Sequence, residues 1–220
     1  MEDGCIKMQL KILSGYKGNP KVCSEKYLEA LTPKHVAISL TGEPTLYPPL
    51  SELIEDFHKR ALTTFLVSNG TVPKDLSQLG EEPTQIYISV SAFDKETFLE
   101  ACRPQIPGAW KNLKDTLSLL PSFKCHTEIR ITLVRHKNLK HPELYARLIE
   151  KASPTYVGPK AHMHAGFLRL RLGFENMPTH QEIQDFAALL TQEIGYNLLD
   201  EAPKSRVVLL SRLEKSIKFA

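Results

Sequence analysis

The chain has 220 residues, 42% of them hydrophobic, and its 28 Lys and Arg against 25 Asp and Glu give a formal net charge of +3. This is the profile of an ordinary soluble globular protein able to bury a substantial core, with a charge excess that permits a polyanionic partner but is too small to argue for one. The longest apolar runs, such as Val207–Leu210, are far shorter than the ~20 residues of a membrane span, and Met1–Cys5 lacks a leader's basic and apolar segments, so a cytoplasmic protein with no membrane partner is expected. Cysteines at 5, 23, 102 and 125 have no C-x2-C spacing and read as scattered thiols rather than a metal site or a disulfide framework.

β-branched runs alternating with helical patterns predict βαβ units and a parallel sheet in a single domain: a lead-in over 1–34, β/α units over 35–164, and a helix with an edge strand over 165–220. Strands are predicted at His35–Leu40, Thr63–Val67, Gln85–Ser91, Thr127–Val134 and Tyr156–His162. Leu50, Leu53, Ile54, Phe57 and Ala61 share one helical face, Trp110, Leu113, Leu117 and Leu120 another, and His141–Ala152 forms a further helix. Thr179-x-x-Glu182 is a capping box that starts a helix with Ile183, Phe186, Leu190 and Ile194 on its apolar face, and Gly195 stops it. Ser205–Ser211 reads as the last strand, at an edge, followed by a mobile charged tail after Arg212.

Each predicted parallel strand runs into polar residues: Thr41-Gly42-Glu43-Pro44, Ser68-Asn69-Gly70, Ser91 to Asp94, Arg135-His136, and His162-Met163-His164. The carboxyl ends of strands line the site in parallel α/β architectures, so these groups are expected around one pocket. At the first tip, Gly42 permits a sharp turn and Pro44 locks the backbone after the acid. Outward carbonyls beside the Glu43 carboxylate suit a ligand bearing an ammonium group. A plain turn explains the same tripeptide.

The order of strand, Gly-Glu-Pro elbow, helix, strand and Ser-Asn-Gly resembles the radical S-adenosylmethionine superfamily. GYKGNPKV (15–22), KHVAISLTGEPTLYP (34–48), EDFHKRALTTFLVSNGTVP (55–73), PTQIYISVSA (83–92), RITLVR (130–135), NMPTHQEIQDFA (176–187) and SRVVLLSR (205–212) narrow the likeness to its tRNA 4-demethylwyosine synthase family. The resemblance implies an incomplete TIM-like barrel with outer helices. It implies that Thr41, Gly42, Glu43 and Pro44 hold the methionine amino group of S-adenosylmethionine. Ser68 and Asn69 would line the cofactor pocket, Ser89 and Ser91 would reach its ribose or carboxylate, and Arg130 would pair with the carboxylate. Read without the resemblance, Ser89 is equally a core hydroxyl, Asn69 a turn residue and Arg130 a strand charge on the outer face.

The implied reaction joins N1-methylguanosine of phenylalanine tRNA to two carbons of pyruvate in a radical step, making 4-demethylwyosine by carbon–carbon bond cleavage in the pyruvate. It needs a [4Fe–4S] cluster on a C-x3-C-x2-C loop that this sequence does not contain. By the resemblance, that loop and the lysine that binds pyruvate precede Met1, and the chain is an incomplete form. Lys160-Ala161-His162-Met163-His164 stands where the family usually has Lys-Ala-Tyr-Met, and Phe167 where a tyrosine is common, which puts the substrate end of the pocket in doubt.

Lys160, His162, His164, Arg169, Arg171 and Arg206 form the expected tRNA face, with Phe167 able to stack on a base and Arg212, Lys17 and Lys21 as further cations. A solvated basic rim is the plain alternative. The chain is expected to be a monomer. Two other classes remain open: a non-catalytic module binding S-adenosylmethionine or RNA, and a hydrolase using a metal held by His162 and His164 with Glu43 or Asp94.

Overall fold

A computed structural model describes residues 2–39 and 41–219. The predicted end of the first strand, Leu40, lies outside the described residues. Five β-branched runs form parallel strands β1 (His35–Ile38), β2 (Thr63–Ser68), β3 (Gln85–Ser89), β4 (His126–Leu133) and β5 (Tyr156–Ala161). Their order in the sheet is their order in the chain, and the register sets Leu66 beside Ile86, Ile88 beside Ile129 and Arg130 beside Gly158.

The helices are α1 (Glu2–Ser14), α2 (Ser24–Ala30), α3 (Leu50–Lys59), α4 (Pro73–Ser77), α5 (Lys95–Cys102), α6 (Ala109–Leu119), α7 (Pro142–Ala152) and α8 (His180–Ile194). Leu66, Ile86, Ile88, Ile129, Ile131, Leu133 and Val157 make one sheet face a dry apolar layer. Against it pack Ile54 of α3, Leu113 and Leu117 of α6, Ile149 of α7 and Leu190 of α8. Each such side chain contributes about 1.5–3 kcal/mol by leaving water. Because strand side chains alternate, the intervening positions Gln85, Tyr87, Ser89, Glu128, Arg130, Thr132 and Lys160 share the opposite, inner face.

The capping box at α8 forms as expected: the Thr179 hydroxyl accepts from Glu182 N–H at 3.2 Å, and Glu182 Oε2 accepts from Thr179 N–H at 2.8 Å. Arg135 adds a second anchor, donating through Nε to Glu182 Oε1 at 2.8 Å and through its terminal nitrogen to Oε2. Its guanidinium, with the capping contacts, holds the Glu182 carboxyl down at about 2.

Two expectations are corrected. The last predicted strand, β7 (Val207–Ser211), is not the edge but lies between β5 and β6 (Asn197–Ala202), antiparallel to both. β6 is the edge, and its mostly exposed sequence NLLDEA carries no alternation that periodicity would detect. The tail after Arg212 is not loose but crosses the amino ends of the strands: Ile217 N–H donates to Tyr156 Oη at 3.1 Å, and the Phe219 ring lies 5.4 Å from Phe65 and 5.9 Å from His126. The lead-in over 1–34 contains α1 and α2, and Arg60, just past the end of α3, pairs with Asp3 of α1 at 2.6 Å.

Candidate functional site

After β1 the chain turns through Gly42 at φ +80°, where an added Cβ would meet nothing within 4 Å. Glycine is required there by the left-handed backbone and not by crowding. Glu43 then caps a 3-10 turn over Pro44–Leu46. Its Oε1 accepts from Thr45 N–H at 3.3 Å and Thr45 Oγ1 at 2.8 Å, and its Oε2 accepts from Asn69 N–H at 2.7 Å. A carboxylate offers about four acceptor positions, so about one remains for a ligand N–H. Asn69 is held in turn by Thr71, whose N–H and hydroxyl donate to Asn69 Oδ1 at 2.9 and 2.6 Å.

Glu43 and Asn69 border a cavity of about 350 Å³ whose floor includes Ser89 and Ser91 and whose far wall includes Phe98 and Ile106. Ser91 also lines a neighbouring cavity of about 250 Å³, with Thr132, His162 and Arg171. Residues at the tips of β1 to β5 thus line a trough of two cavities that share Ser91, whereas Arg135 and His136, the polar pair expected there after β4, line neither, and Arg135 is turned to Glu182 and the Glu175 carbonyl.

Asn138, which sequence reasoning missed, sets the spacing of two of these tips. It is 1% exposed, and its Nδ2 donates to the carbonyls of Ser91 and Thr132, both at 2.8 Å, while its Oδ1 accepts from Val134 N–H at 2.6 Å. The only signal in the sequence is a polar residue soon after a strand, which any loop supplies.

Not every predicted residue reaches the trough. Ser68 is buried and its hydroxyl accepts from Gly70 N–H at 2.9 Å; residues 67 and 69 take the inner face, so alternation turns Ser68 toward the helices. Arg206 donates to the Pro178 carbonyl at 2.9 Å and braces the β6–β7 hairpin against the start of α8. Arg130 lies on the inner face, not the outer, with its guanidinium 4.4 Å from the Tyr87 ring, and it lines neither cavity. Lys160 shares that face, its ammonium shifted below the ordinary lysine range by burial and by Arg130. Thr41 is exposed at the elbow.

Glu128, between Gln85 and Gly158 on the inner face, was not singled out from the sequence. It is 9% exposed, accepts from Gln85 Nε2 at 3.1 Å, and is pushed up to about 7 by burial, against the pull of Arg130 and Lys160. Gly158 leaves it room, since a Cβ there would come within 2.7 Å of its Oε1.

His162 is 3% exposed and its Nε2 has no partner among the described residues. Burial first, then His164, lowers its pKa below the ordinary imidazole range. His164 donates its backbone N–H to Met177 Sδ at 3.4 Å and sets its ring edge-on to Phe174 at 5.9 Å. Arg169 is exposed beside Phe167, which is 88% exposed.

Among the described residues no group of three or more His, Cys, Asp and Glu comes together to hold a metal ion, and all four cysteines are free. The His162–His164 pair has no third ligand among them, so nothing supports the metal-hydrolase reading. The same fact shows that this chain's residues do not fit a [4Fe–4S] cluster, which needs converging thiolates.

Parallel strands in sequential order, outer helices on one face, and an acid-bearing elbow opening the trough at the carboxyl tips define a partial barrel of the radical S-adenosylmethionine class. A Radical SAM superfamily model matches residues 21–149, and a model for wyosine base formation matches residues 151–212. The S-adenosyl-L-methionine-dependent tRNA 4-demethylwyosine synthase of Pyrococcus abyssi is 49% identical over 94% of this chain and 62% of its own length. The enzyme of that name from Methanocaldococcus jannaschii is 42% identical over 96% and 67%. A solved structure of TYW1 with a lysine-pyruvate adduct bound superposes with a TM-score of 0.86 at 40% identity, covering 95% of this chain and 67% of that one. The chain belongs to the tRNA 4-demethylwyosine synthase family of radical S-adenosylmethionine enzymes. It spans 62% of the length of the Pyrococcus relative.

Proposed function

We propose that this chain supplies the cofactor- and substrate-binding barrel for the conversion of N1-methylguanosine in phenylalanine tRNA, with pyruvate, to 4-demethylwyosine, acting as a cytoplasmic monomer. Family membership supports the tRNA-modifying activity, and no helix among the described residues is long and apolar enough to cross a membrane. The observation that carries the reading is the Glu43 elbow: a carboxylate held by three donors from two strand tips, with capacity left over, on the border of a cavity of about 350 Å³.

Radical chemistry on S-adenosylmethionine would need a reduced cluster, for which this chain holds no ligand set among its described residues. The chain's own work is placement. Glu43 takes the methionine ammonium, Asn69, Ser89 and Ser91 line the space for the rest of the cofactor, and Phe98 and Ile106 keep water from it. Arg130, with no hydrogen-bond partner among the described residues, is available to a carboxylate that reaches the inner face. Arg169 and Arg171, both exposed, face the tRNA backbone. The free, scattered cysteines favour a second reading for the chain by itself: a module that binds S-adenosylmethionine and tRNA without turning them over.

Equilibrium dialysis with S-adenosylmethionine tests the elbow. Glu43→Ala is expected to weaken binding at least about tenfold while tRNA affinity holds, since a hydrogen bond to a charged group contributes about 1.5–3 kcal/mol. Unchanged cofactor affinity would remove the assignment. Binding without product formation in the chain alone would favour the second reading.

A further inference from the structure

The trough has two compartments that meet at Ser91, and the smaller is built differently from the cofactor side. On its sheet side stand the hydroxyl of Ser91 just past β3, the hydroxyl of Thr132 on β4 and the imidazole of His162 just past β5. None of these three side chains makes a hydrogen bond among the described residues, and His162 Nε2, on a residue that lines the cavity, is buried without a partner. A buried polar atom left without a partner costs about 1–3 kcal/mol, so its retention calls for a ligand that repays it. Opposite lie Leu168 and Leu172, and Arg171 stands on the rim.

A flat apolar cover, a polar edge of donors and acceptors, and a cationic rim together match an unstacked nucleobase: its face against the leucines, its edge toward the sheet, its phosphate outside. An imidazole held below its ordinary pKa is neutral near pH 7 and both donates and accepts, as the edge of a purine requires. Three cations also line the compartment, Arg103, Lys137 and Arg171; none of them belongs to a strand, and Lys137 is paired with Glu100 at 2.5 Å.

We propose that this compartment of about 250 Å³ receives the acceptor base of the RNA, and that His162 and Thr132 are its specificity-determining residues. This rests on the function proposed above. Ser91, common to both compartments, then marks where the cofactor and the base face each other.

The test uses fluorescence anisotropy with two anticodon stem-loops, one carrying N1-methylguanosine and the other an abasic nucleotide at that position. The parent chain is expected to bind the first about tenfold more tightly. His162→Phe and Thr132→Val are expected to bring both RNAs to the abasic affinity with S-adenosylmethionine binding unchanged, and His162→Gln, which still donates and accepts, to restore most of the preference. Retention of the full preference in both His162→Phe and Thr132→Val would overturn the assignment, as would equal loss in the Gln and Phe variants. Should His162→Phe fail to fold, Thr132→Val, a hydroxyl-for-methyl change, decides alone. A parent that binds neither stem-loop overturns the proposed function together with this inference; a parent that discriminates alongside variants that discriminate equally overturns this inference only.

Discussion

Glu43 Oε2 accepts the backbone N–H of Asn69 at 2.7 Å, tying the elbow after β1 to the tip of β2 across 26 residues of chain. The acid is thus fixed in place before any ligand arrives, which lowers the ordering cost of binding. Glu43→Gln separates position from charge. The amide oxygen still accepts a hydrogen bond, so the melting temperature is expected to move by only a few degrees. S-adenosylmethionine affinity is expected to fall about as far as in the alanine variant, because an ammonium gains little from a neutral amide. A cofactor affinity equal to the parent's in calorimetry would show that charge plays no part.

Asn138 makes three buried hydrogen bonds that clamp the tips of β3 and β4. Asn138→Ala leaves two carbonyls and one N–H without this partner, and a loss of about 3 kcal/mol is expected from urea unfolding. The same variant loosens Ser91 between the two compartments, so cofactor and RNA binding are expected to weaken together. A stability loss under about 1 kcal/mol would show that the tips hold without the clamp.

Glu128 is a buried carboxyl raised to about 7 from 4.5. A group with a raised native pKa binds more protons folded than unfolded between about pH 4.5 and 7, so stability falls as pH rises through that window. Glu128→Gln keeps the size and removes the charge. The variant is expected to gain about 2 kcal/mol over the parent at pH 8 and to match it near pH 4.5. Chemical denaturation at the two pH values measures this, and a gain that does not depend on pH would rule out titration of Glu128 as its source.

Glu182 behaves in the opposite sense. Arg135 and the capping contacts depress it to about 2, so its contribution is present above about pH 4.5 and is lost as pH falls toward 2. Arg135→Gln removes the first-named cause. Both side chains are partly exposed and water screens the pair, so the expected effect near pH 6 is small, a fall of about 2 °C in melting temperature. The difference from the parent is expected to vanish near pH 2, and one that persists there would assign the effect to packing.

Arg169 and Arg171 are both exposed, and Arg171 lines the smaller cavity. Reversing both to Glu is expected to weaken tRNA binding and to flatten its dependence on salt, by roughly one unit of log–log slope for each phosphate no longer neutralised. An unchanged slope in filter binding would place the RNA backbone elsewhere.

The parallel strands, the capping box of α8 and the elbow were legible because each is written in neighbouring residues: β-branched runs, Thr179 with Glu182, Gly42 with Glu43 and Pro44. β6 was not, since NLLDEA is mostly exposed and an edge strand held on one side needs no alternating pattern. Ser68 and Asn69 look alike as strand-end polar residues, yet alternation sends one to the helices and the other to the trough, and a one-residue error in where a strand ends exchanges them. Arg206 read as part of an RNA face because its charge is visible in the sequence, whereas the Pro178 carbonyl it bonds is not.

Neighbouring residues alone carry the local grammar of the chain: where strands and helices start and stop, the acid on its glycine bend, the lack of closely spaced cysteines, and a family likeness running along most of the chain. Folding in three dimensions is what makes Glu43 meet Asn69, Asn138 join two strand tips, Ser91 serve two compartments, and Glu128 lie buried near Arg130 and Lys160. Those facts depend on register and on which crossovers bring distant residues within about 3 Å, and a hydrogen bond acts over that distance regardless of how much chain separates its partners.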